Sequence, residues 1–106
     1  MAKLVRDRIP DLMRKQGAEP RVHAARGREY MQALKHKLVE EAREFAESEQ
    51  IEELADILEA VAAILAEKKK SWTELEREAA RKLAEKGGFS KKLILESPDK
   101  LSGAQN

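Results

Sequence analysis

The clearest apolar period in the chain begins near Arg28. Tyr30, Leu34, Leu38 and Phe45 recur at helical spacing, with Ala33 and Ala42 beside them, and predict a helix over about 28–47. A second run, over about 50–69, is the most apolar stretch. Ile51, Leu54, Ala55, Leu58, Val61, Ala62 and Leu65 form one broad face, and Ile57, Ala60 and Ile64 widen it toward the side of Glu53. The polar residues Ser48, Glu49 and Gln50 predict a short turn that folds the second helix back on the first as an antiparallel hairpin. A helix apolar over most of its circumference needs cover on more than one side. A chain this short offers few partners for that, so the pattern predicts a homo-oligomer, most simply a dimer and otherwise a tetramer, whose helices complete a bundle.

The flanking segments carry weaker signals. Residues 1–9 read as extended or irregular. Pro10 suits a first helical turn, Asp11 favours a helix N-terminus, and Gly17 suits a stop, which predicts a short helix over about 10–16. Residues 17–27 read as a connector. Lys68, Lys69 and Lys70 close the second long helix, where cations suit the dipole. Ser71 followed by Glu74 is a capping box and opens a last helix that runs to about Lys86. Its packing stripe is Trp72, Leu75, Ala79 and Leu83, which reads Trp72 as a core residue. Gly87 and Gly88 end it. Residues 89–95 suggest a short strand pairing with 21–24, and 97–106 a loose tail. The expectation is an all-α fold in one domain over 1–96, with no internal repeat.

Composition narrows the classes. The chain has 106 residues, 42% of them hydrophobic and 39% charged, with a net charge of +1. A small core is affordable, and there is no overall basic field to suit a nucleic-acid partner. The absence of cysteine excludes disulfides, zinc–thiolate sites and cysteine nucleophiles. No apolar run nears the ~20 residues of a membrane span. The opening MAKLVRDRIP is too polar for a signal peptide, so a cytoplasmic, soluble protein is expected.

Candidate chemistry lies on the two long helices. Glu41 and Glu44 stand three apart on the first, Glu53 and Asp56 three apart on the second. Residues three apart share a helix face, about 4.5 Å apart along the axis. In an antiparallel hairpin the numbering matches Glu41 with Asp56 and Glu44 with Glu53, at two levels. Four carboxylates gathered there would repel strongly, and a hard divalent cation such as Mg²⁺ would relieve that. The competing reading is a pair of ordinary solvated acidic faces.

These segments resemble a known family. KLVEEAREF followed by IEELADILEAV is similar to the MazG-type all-α nucleoside-triphosphate pyrophosphohydrolases. Their Glu-Glu-x-x-Glu and Glu-x-x-Asp elements stand here as Glu40, Glu41 and Glu44, then Glu53 and Asp56. Lys37 precedes the acids by one turn, and the segment from Lys82 to Phe89 resembles a Lys-x-x-x-Arg-Gly-x-Phe element with Lys86 in the Arg place. The opening KLVRDRIP resembles the start of a small phosphoribosyl-ATP-pyrophosphatase-like subgroup.

The resemblance implies Mg²⁺-dependent hydrolysis, with Mn²⁺ as the alternative ion, of a nucleoside triphosphate to monophosphate and pyrophosphate. House-cleaning of non-standard nucleotides is the role it suggests. It implies Glu41, Glu44, Glu53 and Asp56 as metal ligands and Lys37, Lys82 and Lys86 as phosphate contacts. Glu40 is a candidate general base, with a solvated neighbour of Glu41 as the equal alternative. Lys3, Arg6 and Arg8 would cover the phosphates from the N-terminal arm or lie on the surface. Lys in place of Arg at 86 loses the planar fork, which keeps open a non-catalytic nucleotide-binding or helical interaction module of the same fold. His36 lies about 140° around the helix from Glu41 and His23 has no partner in the sequence, so neither reads as a ligand.

Overall fold

The computed structural model describes residues 2–97. Its described residues form four α-helices and no strand. The helices are α1 (Ile9–Lys15), α2 (Gly27–Ser48), α3 (Ile51–Glu67) and α4 (Trp72–Lys86). None is long and apolar enough to cross a membrane. The chain divides after Lys70 into two compact units.

Local chemistry explains the boundaries. Pro10 occupies the first turn of α1, and Gly17 follows its end at φ +92°, a conformation that costs glycine little. The long helices α2 and α3 are joined through Glu49 and Gln50 and pack on each other. Glu49 makes the turn without glycine: its φ is 57°, and its N–H donates to the Phe45 carbonyl. Ser48 Oγ accepts from the Gln50 N–H at 3.2 Å and holds the far side of that turn.

The first unit has a small core. Leu34 of α2 is 1% exposed and Ala60 of α3 is 5% exposed. Tyr30, Ala33, Leu38 and Phe45 continue the α2 stripe as half-buried residues. On α3 the inward positions are Glu53, Asp56, Ile57, Ala60 and Ile64, which recur at three and four. The face read as dominant is split: Val61, Ala62 and Leu65 are half-buried, while Ile51 is 74% and Leu58 57% exposed and Leu54 is also exposed.

The second unit begins at Ser71, which caps α4. The Glu74 N–H donates to Ser71 Oγ at 3.1 Å and the Ser71 N–H donates to Glu74 Oε1 at 2.9 Å, so the capping box forms as the sequence predicts. Gly87 ends the helix at φ +80°. The exposed face of α4 is laced by Arg81, which pairs with Glu78 and, at 2.6 Å, with Glu85. The apolar stripe of Trp72, Leu75 and Leu83 is present but exposed, so Trp72 is not a core residue within the chain.

Two expectations are corrected here. No strand forms over 89–95 or over 21–24. Lys92 adopts φ 60° and its N–H closes a turn onto the Phe89 carbonyl at 3.0 Å, which breaks the extended run a strand needs. Phe89, Leu93, Ile94 and Leu95 are all strongly exposed, so their β-propensity meets no sheet to join. The tail expected over 97–106 lies, from Pro98 onward, outside the described residues.

Candidate metal centre

The site is built within the first unit, where α2 faces α3. Glu41 is 4% exposed, the one buried charged residue among those described. Carboxylates are almost never fully buried unless paired. Here the pairing is partial: Glu41 Oε1 lies 3.4 Å from Lys37 Nζ, while Oε2 is buried without any hydrogen-bond partner. An unsatisfied buried carboxylate oxygen costs free energy, so its place asks for an occupant.

That occupant has ligands waiting. One oxygen each from Glu41, Glu53 and Asp56 lie within 4.8 Å of one another. Oxygens on opposite sides of a Mg²⁺ ion stand about 4.2 Å apart, given its ~2.1 Å bonds, so side-chain rotation closes the difference. The three acids thus fit a hard divalent cation by donor type, by spacing and by the orphaned oxygen. Glu44 stands outside this group and is exposed. Its charge still reaches Glu41.

The electrostatics bear the strain of this arrangement. Burial pushes the Glu41 carboxyl above the ordinary carboxylate range, and the charges of Glu44 and Asp56 add to that against the hydrogen bond from Lys37. Lys37, half-buried one turn earlier, donates to Glu40 Oε1 at 3.1 Å. Burial works against its charge, but the bonds and charges of Glu40 and Glu41 hold it above the usual lysine value. Glu40 is lowered, first by the Lys37 hydrogen bond and, against its partial burial, by Lys3, whose Nζ donates to Oε2 at 3.3 Å.

The N-terminal arm closes the picture. Arg6 Nη2 donates to Asp56 Oδ1 at 2.7 Å, and its Nη1 lies 4.0 Å from Glu59 Oε1. The hydrogen bond to Asp56 raises the guanidinium above its already high value. The arm, α1, α2 and α3 line an open cleft of about 780 Å³. Its charged lining includes Lys3, Arg6, Lys37, Glu41, Asp56 and Glu59; its apolar lining includes Leu4, Ile9, Leu12, Tyr30 and Leu34. Arg8 also lines it. Lys82 and Lys86 stand on α4 in the second unit, both exposed. His36 is exposed, and His23 pairs with Glu29 at 2.7 Å.

Glu59 and Tyr30 were missed as cleft residues. Glu59 could have been found: it continues the spacing of Glu53 and Asp56 by three more residues. Tyr30 carried only a packing signal. Comparisons of the chain with protein-family models, curated proteins and solved structures return no match.

Proposed function

We propose that the chain is a divalent-cation-dependent pyrophosphohydrolase of nucleoside triphosphates, yielding a monophosphate and pyrophosphate. The observation that carries this reading is the buried, unpartnered Glu41 Oε2 beside Glu53 and Asp56. A solvated acidic face would leave no such atom. Mg²⁺, or Mn²⁺ in its place, would be held by Glu41, Glu53 and Asp56, with Glu44 adding charge at the margin. A bound ion supplies polarisation of phosphate oxygens and a lowered pKa for a bound water.

The chain's own residues do the rest. Lys37 offers a fixed point charge to phosphate oxygens at the cleft wall. Arg6 and Arg8 bring cations from the arm, while Lys82 and Lys86 rest on the motif resemblance. Leu12, Tyr30 and Leu34 give the nucleoside an apolar lining. Glu40 serves as general base once its lysine partners turn to phosphate. The antiparallel α2–α3 hairpin and a homo-oligomeric bundle, a dimer or tetramer, belong to the same reading. The exposed Ile51, Leu54 and Leu58 support the second copy. House-cleaning of non-standard nucleotides in the cytoplasm is the role we assign.

A second reading has one observation of its own. Glu40 is bound by two lysines and held below its ordinary value, which makes it a weak proton acceptor. The same cleft would then bind a nucleotide without cleaving it. Incubation with Mg²⁺ and a panel of nucleoside triphosphates, with pyrophosphate detection, separates the two. Pyrophosphate release that chelator and Glu53→Gln abolish is expected. Calorimetric Mg²⁺-dependent nucleotide binding with no product would replace the hydrolase by the binding module, and neither signal from folded protein would remove both.

A further inference from the structure

The N-terminal arm is tied across the acid cleft by two cations. Lys3 reaches Glu40 on α2, and Arg6 reaches Asp56 and Glu59 on α3. Leu4 and Val5 between them are half-buried, so the arm is seated by apolar contact as well as by charge. Arg6 therefore sits on one of the three carboxylates that converge, one oxygen from each lying within 4.8 Å of the others, in a cluster whose buried member Glu41 keeps Oε2 without a partner. A guanidinium and a divalent cation that share one carboxylate repel each other at a few ångströms, where screening by solvent is weakest.

We infer that Arg6 is the resident counter-ion of the acid cluster, exchanged at Asp56 for a divalent cation, and that residues 3–6 form a strap the metal loosens. This rests on the metal-site reading above, not on hydrolysis. The pair is built for exchange. Arg6 is an exposed side chain, so its bond to Asp56 has the strength of a surface ion pair, too weak to exclude a metal and strong enough to tax its binding. Glu59 lies 4.0 Å from the same guanidinium and offers it a second resting place on α3 when Asp56 is taken. Metal affinity and arm position are thereby linked, and each opposes the other by the same factor.

The test titrates Mn²⁺ into the full chain at low ionic strength and counts free ion by its electron-spin resonance signal. Three proteins are compared: the native chain, Arg6→Gln, and Arg14→Gln, which loses the same charge from a pair with Asp11. Melting curves confirm that each is folded. Arg6→Gln is expected to bind Mn²⁺ about fivefold more tightly than the native chain, the worth of an exposed ion pair, with Arg14→Gln unchanged. Equal or weaker binding by Arg6→Gln overturns the inference while leaving the metal site standing. Equal tightening in both variants also overturns it, as a net-charge effect. No Mn²⁺ binding by any folded variant removes the metal reading itself.

Discussion

Arg6 and Asp56, fifty positions apart in the chain, meet at 2.7 Å and tie the N-terminal arm to α3. The contact joins the least regular part of the first unit to its most organised. Behind it, Glu41 keeps one oxygen on Lys37 and the other on nothing. The first unit, with Leu34 and Ala60 as its buried apolar residues, thus spends part of a small core on a carboxylate. Stability alone does not account for that choice.

Glu41→Gln is predicted to stabilise the metal-free protein at neutral pH. The raised value of the Glu41 carboxyl means that folding favours its neutral form. Its contribution is present in full below the ordinary glutamate value of about 4.3 and is lost as pH rises through the higher folded-state value. At pH 7 the charged side chain therefore costs stability, and the amide removes that cost. With chelator present, Tm should rise at pH 7, and the gap should narrow as pH falls toward the ordinary glutamate value. Added Mg²⁺ should reverse the order, because only the native chain keeps its ligand. A Gln variant that melts lower at pH 7 in chelator would show that the carboxylate is satisfied after all.

Lys37→Met should do the opposite. It preserves the stem and removes the cation that pairs with Glu41 Oε1, while Glu40 keeps Lys3. Leaving a buried carboxylate without its hydrogen-bond donor costs about 1–3 kcal/mol. Urea unfolding should show a lower midpoint with unchanged slope, and Mg²⁺ should restore part of the loss. An unaltered midpoint would class the contact with surface ion pairs of negligible worth.

The helices were legible in the sequence because their signals are local. The capping box at Ser71 and Glu74, the stop at Gly17 and the α2 stripe from Tyr30 to Phe45 each needed only neighbours within a turn or two. The convergence of Glu41, Glu53 and Asp56 followed from spacing and a short turn, although Glu44 did not join them. Three things were not legible. Hydrophobicity says which faces of α3 want cover, not which partner covers them, so the weaker stripe through Ile57, Ala60 and Ile64 turned inward with the acids. The β-rich run Leu93, Ile94 and Leu95 had propensity without a strand to pair with. Arg6 had no periodicity to fix its direction, and its partner lies far along the chain.

Ser71→Ala should loosen α4 alone. It removes the acceptor for the Glu74 N–H and the ring of reciprocal bonds at that terminus. The expected loss is about 0.5–2 kcal/mol. Native-state hydrogen exchange should show faster exchange over Trp72–Lys86 with little change in α2, because α4 lies in a separate compact unit. Ser71→Thr should retain most of the protection. Uniform acceleration across all four helices would mean that the two units unfold as one.

Leu58→Glu tests the assembly. Leu58 is 57% exposed on α3, near Leu54 and Ile51 on the same unpaired face. It points away from Leu34 and Ala60, so a charge there leaves the first unit's own core untouched. In a homo-oligomer packed on this face, each copy would bury a glutamate against apolar neighbours of the other. Sedimentation or light scattering should then find the native chain as a dimer or tetramer and the variant as a monomer, with helicity by circular dichroism preserved. The outcome also bears on the cleft. If the variant is monomeric and still binds Mg²⁺ as the native chain does, the metal centre is complete within one copy, as Glu41, Glu53 and Asp56 imply. If the native chain is itself a monomer, Ile51, Leu54 and Leu58 of α3 stay in water, and the assembly expected from the sequence is wrong.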